Sequence, residues 1–134
     1  MNRAAGRVPA DVVAAVAVGG ALGTAARYGL AVAWSHAPGS LPWATLVTNL
    51  VGCALLGALM HVITERIAPH PLLRPFLGTG VLGGFTTFSA YAVETRELLA
   101  AGRPGLALGY VLGTLVGGLS AVLLGDRLMA RVSR

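Results

Sequence analysis

The side chains able to do chemistry in this chain are amides and hydroxyls, joined by backbone carbonyls in a glycine-rich run. That run is Gly78-Thr79-Gly80-Val81-Leu82-Gly83-Gly84-Phe85-Thr86-Thr87-Phe88-Ser89. Its glycines and the Thr-Thr-Phe-Ser that follows make a poor continuous helix, and Gly83-Gly84 invites a break. Carbonyls exposed at a break can ligate a cation, and the hydroxyls beyond it can rescue freed backbone groups; a kink without a ligand is the other reading. A second set surrounds Asn49. Thr45, Asn49, Gly52 and Cys53 stand at i, i+4, i+7 and i+8 and share one helix face, with Thr48 beside them. Asn49 reads as an interhelical hydrogen bond or as an amide facing a path for an anion. Tyr110, Thr114 and Gly118 stack at four-residue spacing as a polar track or as interhelical hydrogen bonds.

Catalytic constellations are missing from this inventory. The five carboxylates, Asp11, Glu65, Glu94, Glu97 and Asp126, fall at span ends or in connections and read as solvated interfacial charge. An enzyme is therefore not expected, nor a proton-coupled transporter, which needs a carboxylate within the bilayer. His36, His61 and His70 are scattered, without Cys or carboxylate partners at ligand spacing, so no side-chain metal site is expected. The single Cys53 reads as a small buried hydrophobe.

The elements that must hold these groups are membrane helices. Of 134 residues, 55% are apolar and only 11% charged, against about 25% charged in soluble domains. All ten basic residues are Arg, and 19 residues are Gly. This composition excludes a disordered chain, a nucleic-acid binder and most soluble enzymes. A spanning helix needs about 20 apolar residues. The pattern predicts an all-α, integral membrane, four-helix chain: one membrane domain over 1–134 with helices at 12–34, 43–63, 75–98 and 104–125. Short connections carrying Pro38, Gly39, Pro42, Pro69, Pro71 and Gly102 leave no room for a soluble domain. Arg3 and Arg7 ahead of an apolar run, with Ala31-Val32-Ala33 after it, resemble a cleavable signal. Asp11 and Arg27 bracket the Gly-rich stretch, so it is retained as a helix. Arg27 within the first span reads as a snorkelling side chain or as a structural or vestibule group. Gly105, Gly109, Gly113 and Gly117 form a small-residue stripe that predicts a close helix–helix contact. A bundle this small with polar residues inside it is expected to need a partner chain.

Three motifs together resemble the Fluc/CrcB family of fluoride channels. They are Gly19-Gly20-Ala21-Leu22-Gly23-Thr24-Ala25-Ala26-Arg27-Tyr28, Thr45-Leu46-Val47-Thr48-Asn49-Leu50-Val51-Gly52 and Gly83-Gly84-Phe85-Thr86-Thr87-Phe88-Ser89. They occur in order over three of the four spans. The resemblance implies subunits paired antiparallel, with a two-fold axis in the membrane plane and two fluoride paths along their interface. It implies a broken third helix holding one central structural Na⁺, shared between subunits on the backbone carbonyls of Gly83 and Thr86, with Gly84 and Arg27 as structural residues. Asn49 would offer its amide to fluoride and Phe88 its ring edge. Thr45, Thr87 and Ser89 would lie near the path, and Tyr110 and Thr114 would form the polar track. The implied activity is passive export of fluoride across a bacterial inner membrane. The physics agrees: fluoride is strongly hydrated, so amide and hydroxyl donors are needed along its passage, and an aromatic edge carries the positive part of the ring quadrupole.

Two positions depart from that family's pattern. Tyr91 stands where a second Phe is common, and Gly118 where a hydroxyl is common; both are expected to weaken one of the two pores. Arg3, Arg7, Arg66, Arg74, Arg127, Arg131 and Arg134 fall on one side of the layout, and Arg96 and Arg103 on the other. The positive-inside rule then places both termini in the cytoplasm. So strong a bias disfavours insertion in both orientations. A heterodimer with a related subunit of opposite orientation is therefore expected ahead of a homodimer. A non-conducting assembly subunit is the first rival. A small multidrug-resistance transporter is the second, but it needs a buried Glu in the first helix, and 12–34 contain no carboxylate.

Overall fold

The computed structural model describes residues 8–65 and 70–133. Arg3, Arg7, Arg66 and Arg134, used above to orient the chain, lie outside the described residues. The described residues form helices and connections only. They are α1 (Ala10–Ala33), α2 (Trp43–Glu65), α3 (Arg74–Leu82, continued by a short α-turn, Gly83–Phe85), α4 (Ser89–Ala100) and α5 (Pro104–Val132). Four stretches are long and apolar enough to cross a membrane, α3 and α4 together making the third, Arg74–Ala100. The fourth runs well past the expected end at 125. Its 29 residues would extend about 43 Å at 1.5 Å per residue, so it outreaches a hydrocarbon core of about 30 Å.

Local chemistry explains the ends. Pro104 opens α5, where its missing N–H costs no hydrogen bond. Gly39 and Gly102 take positive φ, 74° and 70°, in the turns before α2 and α5; L side chains avoid that region. α3 is wound more loosely than an α-helix over Arg74–Leu82, and the Gly83 N–H reaches back five residues to the Gly78 carbonyl. Such π-type winding is rare and marks functional segments. It was not anticipated from the sequence pattern.

Packing divides the bundle into two close pairs, α2 with α5 and α1 with α3, while α4 leans on α5. Both pairs bring backbone against backbone. A methyl on Gly57 would collide with the Val122 carbonyl, and one on Gly125 with the Ala54 carbonyl. On the other pair, Gly19 and Gly23 face the backbone of Phe76, Val81 and Phe85, and Gly84 faces Gly20. The Gly105–Gly117 stripe faces little of this chain. Among the described residues, a methyl on Gly105, Gly109 or Gly113 would meet nothing within contact distance, and one on Gly117 would meet the Leu50 side chain. Spacing shows that small residues share a face but not which face is covered. The buried cluster lies instead where Tyr91 and Leu98 of α4 meet Ala107 and Tyr110 of α5. Many large apolar side chains, among them Leu22, Leu55, Leu112, Leu119 and Leu123, stay exposed, as lipid contact requires.

Gly57→Ala should lower the stability of the detergent-solubilised protein by about 1–3 kcal/mol, the usual cost of overpacking. Gly109→Ala, where a methyl would meet none of the described residues, should stay within about 0.5 kcal/mol of the parent. Thermal unfolding of the two variants side by side checks this.

Candidate functional site

The third span is broken at Thr86 and Thr87. The break falls after the two glycines, not at them: Gly83, Gly84 and Phe85 are still helical, and Thr86 is the first extended residue, at φ −77° and ψ 157°. Gly84 serves close approach to Gly20 instead. Hydroxyls then rescue part of what the break releases. Thr86 sends both its N–H and its Oγ1 to the Leu82 carbonyl, each at 2.9 Å. Thr87 Oγ1 accepts the Ala90 N–H at 3.2 Å and lies 3.3 Å from Ser89 Oγ.

Asn49 closes the break from α2. Its Nδ2 donates to the Thr87 carbonyl at 3.0 Å, and its Oδ1 accepts the Thr87 N–H at 2.8 Å. An Asn amide matches a peptide group in this way because it carries one acceptor and a paired donor. One N–H of Nδ2 remains for another acceptor. Arg27 acts from α1: its Nε donates to the Gly84 carbonyl at 3.2 Å, joined by Thr24 Oγ1 at 3.4 Å. Arg27 thus has a backbone partner on the third span.

The groups left over have a clear polarity. Among the described residues, no donor reaches the carbonyls of Gly83, Phe85 and Thr86, at the α3 side of the break. No acceptor reaches the N–H groups of Phe88, Ser89 and Tyr91, at the α4 side. A helix C-terminus is the negative pole of its dipole and an N-terminus the positive pole. One break therefore offers carbonyls to a cation and N–H groups to an anion.

A cavity of about 320 Å³ opens beside the break, lined among others by Asn49, Thr86, Thr87, Phe88, Tyr91 and Thr114. The Thr114 Oγ1 is buried there without a hydrogen-bond partner. Phe88 is 78% exposed, and its ring centroid stands 5.7 Å from that of Tyr91, which stands 5.4 Å from Tyr110. Thr45 and Tyr110 are buried but are not free donors. Thr45 Oγ1 donates to Glu94 Oε1 and the Tyr110 hydroxyl to Glu94 Oε2, each at 2.6 Å.

Glu94 is thus a correction. It was expected as solvated interfacial charge at the end of a span, yet it is half-buried in α4 within the third span and joins α2 to α5. A helical signal for it existed: Tyr91, Glu94 and Leu98 stand at i, i+3 and i+7, and Tyr91 and Leu98 are both buried. His61 and Asp126, 65 residues apart in sequence, meet because α2 and α5 run side by side: His61 Nδ1 lies 3.0 Å from Asp126 Oδ1. No group of three or more potential side-chain metal ligands occurs among the described residues.

Asn49→Ala would leave both polar groups of Thr87 without partners. Each such loss costs about 1–3 kcal/mol when buried, so the variant should lose about 2–6 kcal/mol of stability, measured by thermal unfolding in detergent. An unchanged midpoint would show that water or another group replaces the amide.

Comparison with known proteins places this geometry in a family. Residues 14–126 match the family described as "CrcB-like protein, Camphor Resistance (CrcB)". The chain is similar to "Fluoride-specific ion channel FluC 1" of Streptomyces coelicolor, at 51% identity over 121 residues, covering 90% of this chain and 79% of that protein. It is 54% identical over 111 residues to "Fluoride-specific ion channel FluC 2" of Thermobifida fusca, covering 83% and 82% of the two chains. "Fluoride-specific ion channel FluC" of Paracoccus denitrificans is 48% identical over 110 residues, covering 82% and 87%. With that coverage, and with four apolar helices able to span a membrane, the chain belongs to the CrcB family of multi-pass membrane proteins.

Proposed function

We propose that the chain is a subunit of a fluoride-selective passive channel that exports cytoplasmic fluoride and lowers its toxicity. The observation that carries this is the polarity of the break. Unclaimed N–H groups of Phe88 and Tyr91, the second Asn49 N–H and the unpartnered Thr114 hydroxyl belong to residues around one cavity, and the unclaimed Ser89 N–H lies between Phe88 and Tyr91 in the chain. A small anion with a costly hydration shell needs such a series of neutral donors. Neutral donors also release it, whereas a fixed positive charge would hold it. Phe88 adds a ring edge, and Thr87 and Ser89 add hydroxyls. Thr45 and Tyr110 hold Glu94 in this conformation and take part in conduction by fixing the wall rather than by donating. The names of the relatives support the same ion.

The carbonyl pole has its own role. The free Gly83 and Thr86 carbonyls fit a structural Na⁺ at the centre of an antiparallel pair with its two-fold axis in the membrane plane. Uncharged oxygen donors suit a hard monovalent ion. Such an ion would neutralise the carbonyl ends of two facing half-helices. The exposed Phe88 and the open side of the cavity fit coverage by a second subunit.

The arginine distribution favours a partner of opposite orientation, with this chain's termini in the cytoplasm of a bacterial inner membrane. A heterodimer thus ranks ahead of a homodimer. Tyr91 and Gly118 keep an assembly-only subunit as the second reading, because Gly118 leaves the polar track one hydroxyl short.

Liposomes loaded with fluoride test the proposal. The chain with its partner subunit should release fluoride, and Asn49→Ala or Phe88→Ile should slow release at least about tenfold, the effect of losing about 1.4 kcal/mol of barrier stabilisation. Release that neither variant changes would favour the assembly-only reading. Robust release by this chain alone would refute the heterodimer.

A further inference from the structure

Arg27 places a fixed positive charge at the carbonyl pole of the break. Its Nε donates to the Gly84 carbonyl, across 57 residues of sequence, and Thr24 Oγ1 caps the same oxygen. Among the described residues the ion contact present is His61 with Asp126, so no carboxylate pairs with Arg27. The guanidinium is half-buried in a spanning helix. The carbonyls of Gly83, Phe85 and Thr86 remain unclaimed beside it.

We infer that Arg27 filters the valence of the cation held at these carbonyls, admitting a monovalent ion and excluding a divalent one. The inference rests on the proposed cation site at Gly83 and Thr86. Adjacent peptide units are spaced by about 3.8 Å, so a cation on the Gly83 carbonyl lies close to the group that Arg27 holds. Na⁺ and Ca²⁺ are nearly equal in radius, and both take oxygen ligands. Carbonyl geometry alone therefore separates them poorly. Repulsion from a guanidinium is twice as large for the divalent ion and is weakly screened inside a membrane protein. Among the described residues no carboxylate is paired with Arg27 to offset its charge. Thr24 and Arg27 have a second effect. By occupying the Gly84 oxygen they withdraw it from the ligand set, leaving its neighbours to the ion. Arg27 is on this view a positioning and specificity residue that does not touch the cation.

The test uses the purified full-length protein, freed of Na⁺ by exchange into a buffer of a large organic cation. Its unfolding midpoint is titrated with NaCl or CaCl₂ at matched ionic strength, for the parent, Arg27→Gln and Arg27→Lys. The parent should require at least about tenfold more Ca²⁺ than Na⁺ for half-maximal stabilisation. Arg27→Gln keeps an amide donor for Gly84 and loses the charge, so its Ca²⁺-to-Na⁺ ratio should fall by about tenfold or more. Arg27→Lys keeps the charge and should retain the parent's preference. A parent stabilised equally by both ions overturns the filter, whether or not any variant folds. An unchanged ratio in Arg27→Gln, with Na⁺ still stabilising, overturns the filter and leaves the cation site standing. A parent indifferent to both ions refutes the cation site itself, and the filter with it.

Discussion

A helix broken inside a membrane must find partners for the backbone groups that the break releases. Water is scarce there, and each unsatisfied group costs several kcal/mol. In this CrcB-family chain the burden falls on Thr86 and Thr87, and the rest of the structure is arranged around their peptide groups. Asn49 holds Thr87 by both faces of its amide. Arg27 and Thr24 hold the Gly84 carbonyl. The threonines answer for the Leu82 carbonyl and the Ala90 N–H themselves. What these contacts leave open is as informative as what they close, because it separates into carbonyls on one side and N–H groups on the other.

The glycines make those contacts reachable. Arg27 is in α1 and Asn49 in α2, and their side chains meet the break only because both helices come near it. α1 reaches α3 through glycines on both faces of the contact, and α2 is fixed to α5 by Gly57 and Gly125. A single methyl at those positions would push backbones apart. Small residues here work through distance rather than flexibility, which is how membrane helices gain packing without a hydrophobic driving force. Glu94 then ties the two sides together. Its carboxylate receives one hydroxyl from α2 and one from α5, so α4 keeps its place although its helix is disconnected from α3.

Much of the site was legible in the residues. Asn49 inside an apolar run had to find a partner, and the Gly-rich run ending in Thr-Thr-Phe-Ser had to contain irregular backbone. Hydroxyl rescue was legible for the same reason. The position of the break was not, because Gly83-Gly84 suits a kink and a close approach equally well, and only the presence of Gly20 opposite Gly84 decides between them. Glu94 was hidden by its neighbours. Arg96 and Glu97 make its surroundings look interfacial, and the hydroxyls that receive it lie 49 and 16 residues away in sequence. The Gly105–Gly113 face illustrates the converse: a regular pattern marks a surface, yet none of the described residues covers it.

The sequence by itself determined the class of molecule, four apolar spans with too little charge for water and neutral donors in place of acids and bases. Composition and length suffice for that, because the bilayer accepts few solutions. Tertiary structure decided which oxygen and nitrogen atoms stay free. Whether a carbonyl is claimed depends on an Arg from another helix standing within hydrogen-bond reach, and whether a carboxylate is solvated depends on hydroxyls two helices away. Those are distances in space between residues far apart in the chain, and no local spacing encodes them.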